Sequence, residues 1–136
     1  MKLIFYFLFI YILFIKICFA SNLFNTDFYK IKFQSSNIEK TKIYEINEIK
    51  INSLKQIFNH LLIDKDYNII QRKIDNDFAD KFILNILIND EKIINETYSA
   101  KIKVNFNQKT IIDYLRFNKI NYIEYAPNNF LTIIFD

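Results

Sequence analysis

The feature that most limits how this chain can fold is its complete lack of glycine across 136 residues. Glycine takes a positive φ more easily than any other residue, so turns and helix ends that need this conformation must use asparagine or aspartate. We predict that three places serve in this way, namely Asn89-Asp90, Asn118 and Asn128-Asn129. The lack of glycine and the abundance of Ile, Asn, Lys, Phe and Tyr indicate an AT-rich genome. A nucleophile elbow built on glycine is excluded.

The first twenty residues, "MKLIFYFLFIYILFIKICFA", have the pattern of a secretory signal peptide with cleavage after Ala20. Lys2 is followed by the apolar run Leu3–Ile15, and small residues stand at Cys18 and Ala20. The run is about 13 residues long, whereas a membrane-spanning helix needs about 20. Two alternatives remain open, namely an uncleaved membrane anchor and a lipoprotein acylated at Cys18. The bulky Ile17 before that cysteine disfavours the second.

Cleavage after residue 20 would change both the redox chemistry and the charge of the chain. It would remove Cys18, which is the only cysteine, so no disulfide, thiolate metal site or cysteine nucleophile is expected. It would also remove Lys2 and Lys16, which supply two of the three formal net positive charges. No dense Lys/Arg block occurs elsewhere, so no nucleic-acid partner is predicted. The leader predicts an exported protein, or a membrane-anchored one if the leader is retained.

Several segments have the period-two alternation of β-strands. "DFYKIKFQ" (residues 27–34) is the first, and "ILNILINDEKIIN" (residues 83–95) is predicted to be a bulged second strand. "ETYSAKIKVNF" is the clearest of all, because five apolar residues share one face: Tyr98, Ala100, Ile102, Val104 and Phe106. It should pair with the second strand as a hairpin around Asn95-Glu96. "FLTIIFD" is predicted to be a terminal apolar strand.

One long helix is predicted from Ile38 to Leu62, with Ser36 and Glu39 as a capping box at its start. Steps of three and four residues define its apolar stripe. The stripe consists of Ile43, Ile46, Ile49 or Lys50, Leu54, Ile57, Phe58, Leu61 and Leu62. Many of these residues are β-branched and lower the intrinsic helix propensity, so docking on a sheet must stabilise the helix.

Two shorter helices complete the predicted order β-α-α-β-β-α-β. The first begins with Asp75 or Asn76 as its cap. The second covers Asn107–Lys119 and presents Ile111, Ile112, Leu115 and Phe117. The predicted class is α+β, a small mixed or antiparallel sheet with helices packed on one face. A single domain is expected over residues 21–127, with residues 128–136 as a terminal strand that could begin a second region.

"DKDYNIIQRKID" resembles a calcium-binding loop in its spacing of oxygen ligands. Ligand positions 1, 3, 5 and 12 of such a loop would be Asp64, Asp66, Asn68 and Asp75. The position that requires glycine is Ile69, and Lys65, Arg72 and Lys73 place positive charges inside the supposed cation site. We therefore predict a solvated connector between two helices and no metal ligands.

Candidate catalytic residues are few and do not form a recognised motif. His60 is the only histidine, and a Ser-His-Asp set would have to use Ser53 or Ser99 with one of the aspartates. Acidic residues gather near the predicted helix start and the hairpin, at Asp75, Asp77, Asp80, Glu91 and Glu96. Their spacing does not indicate a carboxylate pair for hydrolysis. We predict no catalytic residues and no cofactor.

The C-terminal half resembles the domain of unknown function 2066 family, which occurs in exported proteins of Gram-negative bacteria. The resemblance rests on the strand from Tyr98 to Phe106, Leu115 in the following helix, Ile120 and Tyr122, and the apolar run Leu131–Phe135. "FILNILINDEKII", with Glu91 in its acidic turn, and "LKQIFNHLL" also resemble family segments. Isoleucines replace the family's small residues in the first helix, and the family continues into a second region, so this chain would be a short member or an N-terminal piece. The resemblance implies fold and export but no activity.

These observations predict a non-catalytic periplasmic module that binds a protein or assists in the cell envelope. Its partner would be an envelope protein, and strand addition at an open sheet edge is one physical route to binding. One alternative is a hydrolase with carboxylates near Asp75–Asp80 or at the Glu91 turn. Another is a membrane-tethered domain held by an uncleaved Leu3–Ala20 segment.

Overall fold

The computed structural model describes residues 23–123 and confirms an α+β fold. Its elements are β1 (Tyr29–Gln34), α1 (Ile38–Leu61), α2 (Asp64–Ile70), a 3-10 turn (Gln71–Lys73), α3 (Asn76–Asp80), β2 (Ile83–Ile94), β3 (Thr97–Phe106) and α4 (Gln108–Phe117). The predicted signal peptide, the terminal apolar strand and Asn128-Asn129 lie outside the described residues.

The three strands form an antiparallel sheet in the order β1-β3-β2, so β3 is central. The predicted apolar face of β3 is confirmed, because its alternate residues from Tyr98 to Phe106 are all buried. β1 continues this inner face with Tyr29, Ile31 and Phe33, which pair with Ile102, Ala100 and Tyr98. The predicted irregularity of β2 is also confirmed, because its register with β3 shifts twice, between Ile83 and Asn85 and between Asn89 and Lys92.

Helix α1 packs on the inner face through seven buried residues: Ile49, Lys50, Ser53, Leu54, Ile57, Phe58 and Leu61. The predicted capping box is wrong. The N-cap is Asn37, whose side-chain oxygen accepts the backbone N–H of Lys40 at 3.0 Å. Ser35 accepts the N–H of Asn37 at 3.0 Å and so holds the cap residue in place.

The apolar stripe predicted for α1 extends too far toward its start. Ile43 is 58% exposed, although it lies two helical turns before the buried Lys50 on the same side of the helix. Helix α3 contacts α1 at the level of Lys50, where Asp80 bonds the lysine. No element among residues 23–123 buries Ile43 in the same way, so helical periodicity alone overstates the length of the covered face.

The predicted connector after α1 is mostly helical, although Asp64, Lys65, Arg72 and Lys73 are exposed to solvent as predicted. Residues Asp64–Ile70 form α2 and the 3-10 turn follows directly. The predicted cap of the next helix is confirmed, since the Asp75 side chain accepts the N–H of Phe78 at 2.8 Å. Ile70 and Ile74 are buried, so this segment contributes to the core.

Helix α4 confirms part of its predicted face. Ile111 and Leu115 are buried and Ile112 is half-buried, whereas Phe117 is 87% exposed. Phe117 follows Ile111 by six residues. At a rotation of about 100° per residue, its side chain points about 120° away from that of Ile111, so the two side chains cannot share one face of the helix. Its inclusion in the predicted core face was wrong.

Among residues 23–123, four residues take a positive φ in this chain without glycine: Asp90 (55°), Asn95 (47°), Glu96 (60°) and Lys119 (55°). The first lies in the predicted Asn89-Asp90 turn. Two consecutive positive φ values at Asn95-Glu96 are typical of a tight hairpin turn, which confirms the predicted hairpin. The prediction for Asn118 is wrong, because its φ is −84° and Lys119 takes the positive value instead. The Asn118 side chain donates to the Tyr114 carbonyl at 2.8 Å.

Candidate functional site

The four residues with calcium-loop spacing do not form a loop around a common point. Asp64, Asp66 and Asn68 belong to α2, and Asp75 caps α3 beyond the 3-10 turn. On a helix, successive side chains point in directions about 100° apart, so these positions cannot wrap a cation as a loop does. Within residues 23–123 no group of three or more His, Cys, Asp or Glu side chains could hold a metal ion.

Three of the five acidic residues considered for hydrolysis are engaged in local contacts. Asp75 caps α3, and Asp80 accepts a hydrogen bond from Lys50 at 2.7 Å. Glu91 accepts hydrogen bonds from Lys42 at 2.6 Å and from the Tyr98 hydroxyl at 2.7 Å. The hydrogen bond from Lys42 lowers the pKa of Glu91 and so favours its ionised form, whereas a general acid needs its proton. These carboxylates bond to groups within the fold, and their arrangement does not resemble a hydrolytic pair.

The contact between Lys50 and Asp80 allows a stability prediction. Lys50 is 7% exposed, so replacing Asp80 by asparagine would leave a buried ammonium group without its ionic partner. Because the Asp80 side chain is itself 55% exposed, the loss should be smaller than for a fully buried pair, about 1–2 kcal/mol in the free energy of unfolding. Urea denaturation measures it. Asp77→Asn on the same helix is the matched control and should change stability by no more than about 0.5 kcal/mol.

A cleft of about 400 Å³ brings Ser53, His60 and Asp27 to one surface, together with Tyr29. The Ser53 hydroxyl donates to the Tyr29 hydroxyl at 3.3 Å, and Ser53 itself is 1% exposed. Ser53 and His60 are seven residues apart on α1, which separates their backbones by about 10 Å along the helix. They cannot form the direct hydrogen bond that activates a serine. The cleft therefore contains the residue types of a catalytic triad, but their positions do not match the geometry of one.

The open edge of the sheet at β2 is the clearest candidate for an interaction site. In the described part of the chain β2 pairs only with β3, so its other side has no strand partner there. β2 is twelve residues long and exposes five large apolar side chains: Leu84 (64%), Leu87 (43%), Ile88 (36%), Ile93 (58%) and Ile94 (65%). Ile88 and Leu87 stand on opposite faces of the sheet, as their partners Ile102 and Lys103 show. β2 thus carries apolar side chains on both faces at an open edge.

The opposite edge, at β1, has features that discourage pairing. β1 is only six residues long, and Lys30, Lys32 and Gln34 are exposed along it. Short edge strands with lysines are a common protection against unwanted strand pairing. On β2 the bulge between Asn89 and Lys92 interrupts the edge, but the five residues Asn85–Asn89 keep a continuous register with β3. A regular run of open backbone groups therefore remains.

A hydrogen-bonded group around Glu91 fixes this bulge to α1. Lys42 on α1 and the Tyr98 hydroxyl both bond the same oxygen of Glu91, and Phe33 stacks on the Tyr98 ring at 5.1 Å. Burial and then the hydrogen bond to Glu91 raise the pKa of Tyr98 to about 12. The hydrogen bond from Lys42, followed by that from Tyr98, lowers the pKa of Glu91. The same bond to Glu91 raises the pKa of Lys42.

The sequence indicates an open sheet edge but does not indicate which strand forms it. The sequence feature that marks β2 is the run Ile86-Leu87-Ile88. Consecutive apolar residues in a strand place apolar side chains on both faces of the sheet, which is typical of a strand covered on both faces. That burial is incomplete here, since Leu87 and Ile88 remain exposed among the described residues.

Comparisons with models of protein families, with curated proteins and with solved structures give no match. The resemblance to the domain of unknown function 2066 family therefore stays a prediction. Within residues 23–123 the longest helix, α1, lacks the apolar length that a bilayer crossing would require, and the other helices are shorter.

Proposed function

We propose that this chain is an exported, non-catalytic module that binds an envelope protein by accepting an extended peptide along the open edge of β2. One observation carries the proposal: a twelve-residue edge strand with large apolar side chains exposed on both faces. An added strand would satisfy the open backbone groups of β2 and cover those side chains together.

The occupant we propose is a peptide segment with alternating apolar residues. A strand paired with Asn85–Asn89 would place one set of its side chains beside Ile86 and Ile88, and the other set beside Leu87. Main-chain hydrogen bonds supply much of the affinity in strand addition, whereas side-chain pockets set the specificity. Binding should therefore tolerate different apolar sequences.

The peptide binding can be tested by fluorescence anisotropy with a labelled heptapeptide of alternating isoleucine and threonine. Changing Leu87 and Ile88 together to lysine should weaken binding at least about ten-fold, because two half-exposed aliphatic side chains no longer become covered and edge lysines oppose pairing. Ile69→Lys is the matched control, since Ile69 is 55% exposed on α2, and it should leave affinity unchanged. No binding by the native chain, or equal binding by the edge variant and the control, would contradict the proposal.

The location is a separate part of the proposal and has a separate test. The pattern of residues 1–20 and the resemblance to exported proteins support export to the periplasm. N-terminal sequencing of the protein from the cell envelope should begin at Ser21. A product that retains Met1 and stays with the membrane would favour the tethered alternative, and a cytosolic product would contradict export.

A further inference from the structure

The sheet face turned away from α1 carries lysines from all three strands, and we refer to it as the lysine face. It consists of Lys30 and Lys32 on β1, Lys101 and Lys103 on β3, and Lys92 on β2. Lys30 stands directly opposite Lys101, and both Lys32 and Lys92 pair with Ser99. With strands about 4.8 Å apart and same-face neighbours about 7 Å apart, five ammonium groups share a patch about 10–15 Å across.

The lysine face has little charge compensation within the described chain. Among the described strand residues on this face only Asp90 is acidic, and it pairs with Lys101 at 2.7 Å. The Lys103 ammonium lies 5.8 Å from the centre of the Phe28 ring. Lys30 and Lys32 have no ionic partner in residues 23–123. Opposed like charges such as Lys30 and Lys101 weaken a sheet, and an anionic surface against this face would offset the repulsion that Asp90 leaves uncompensated.

Exposed aliphatic side chains lie beside these lysines on the same face. Leu87 pairs with Lys103 and is 43% exposed, and Ile94 pairs with Thr97 and is 65% exposed. Cationic and aliphatic groups side by side are typical of surfaces that lie in a membrane interface, where ammonium groups meet anionic headgroups and apolar groups enter the acyl boundary.

Single-stranded nucleic acid fits this face less well than a membrane does. Surfaces that bind single strands add aromatic rings on which bases stack. The aromatic ring that the structure describes beside these lysines is Phe28, and Lys103 already stands over it.

We infer that the lysine face docks this protein on an anionic lipid membrane surface. The inference does not rest on peptide binding at β2, because its charge argument uses the outer face of the sheet and not the hydrogen-bonding edge, although Leu87 belongs to both surfaces.

Sedimentation with lipid vesicles tests the inference on the chain that begins at Ser21, which retains every described element. Vesicles of phosphatidylcholine alone are compared with vesicles that also contain phosphatidylglycerol. The native chain should bind the anionic vesicles preferentially, and added salt should weaken this binding. Lys30→Gln with Lys32→Gln should lower the partition coefficient about 25-fold, at about five-fold for each lysine near an anionic surface. Circular dichroism verifies that each variant is folded.

Two further variants distinguish binding through the lysine face from an effect of the total charge of the protein. Lys65→Gln with Lys73→Gln removes the same charge from exposed positions on α2 and the 3-10 turn, and should leave binding unchanged. Lys30→Arg with Lys32→Arg should retain binding because it retains the charge. Equal binding to neutral and anionic vesicles, an equal loss in the control pair, or tighter binding to oligothymidylate or polyglutamate than to the anionic vesicles would overturn the inference. Ile88→Lys alone changes a side chain on the opposite face of the sheet, so it should weaken peptide binding and leave vesicle binding unchanged.

Discussion

Replacing Phe58 by alanine is expected to lower the free energy of unfolding by about 3–5 kcal/mol, the usual range for a fully buried phenylalanine. Phe58 is 0% exposed on α1, and its ring lies 6.0 Å from Phe82 and 6.4 Å from Phe78 between ring centres. Tyr114 on α4 contacts both of those rings edge-on at 5.4 Å. The cluster joins α1, α3, the start of β2 and α4, so the cavity would weaken contacts among all four. Urea denaturation followed by circular dichroism measures the loss.

The matched control for this prediction is Phe117→Ala. Phe117 is 87% exposed, so the same truncation should change stability by no more than about 0.5 kcal/mol. If Phe58→Ala does not fold, Phe58→Leu retains most of the volume and gives a smaller loss that can still be compared with the control. Equal effects at the two positions would show that the aromatic cluster does not hold the helices on the sheet.

Period-two alternation predicted β3 correctly because the two faces of a central strand meet different surroundings. Every second residue from Tyr98 to Phe106 meets the core, and the residues between them meet the outer side of the sheet. Helical periodicity predicted the buried face of α1 less accurately. It shows which residues lie on the same side of the helix, but not which other elements pack against that side. Ile43 aligns with Lys50, yet the burial of Lys50 depends on α3, whose position follows from tertiary packing.

The candidate surfaces were predictable only in part. The sequence showed Lys30 and Lys32 on one side of the first strand and Lys101 and Lys103 on the polar side of another. The lysines of β1 and β3 share one face of the sheet only because β1 pairs with β3. This pairing joins residues about 70 positions apart, so no local sequence pattern reveals it. The choice of β2 as the open apolar edge likewise required the strand order.

Alkaline pH is expected to destabilise the folded chain through Tyr98. Its pKa is raised to about 12 in the folded state, whereas an unfolded tyrosine titrates near 10. Below pH 10 both states keep the proton, and the full stability is present. As the pH rises from 10 to 12 the unfolded state ionises first, so unfolding becomes easier by about 2–3 kcal/mol, at 1.36 kcal/mol per pKa unit. Urea midpoints between pH 8 and pH 12 measure this change.

Tyr98→Phe separates this effect from other alkaline titrations. The raised pKa values of Lys42 and Tyr114 make the chain less stable over the same range, because the folded state holds those protons more tightly as well. Tyr98→Phe keeps the buried ring and its stacking on Phe33, so the pH dependence that it removes belongs to the hydroxyl. Tyr44→Phe, at a residue that is 60% exposed, should leave the pH dependence unchanged. If Tyr98→Phe lost stability with rising pH in parallel with both the native chain and Tyr44→Phe, burial and Glu91 would not raise the pKa of the Tyr98 hydroxyl in the folded state.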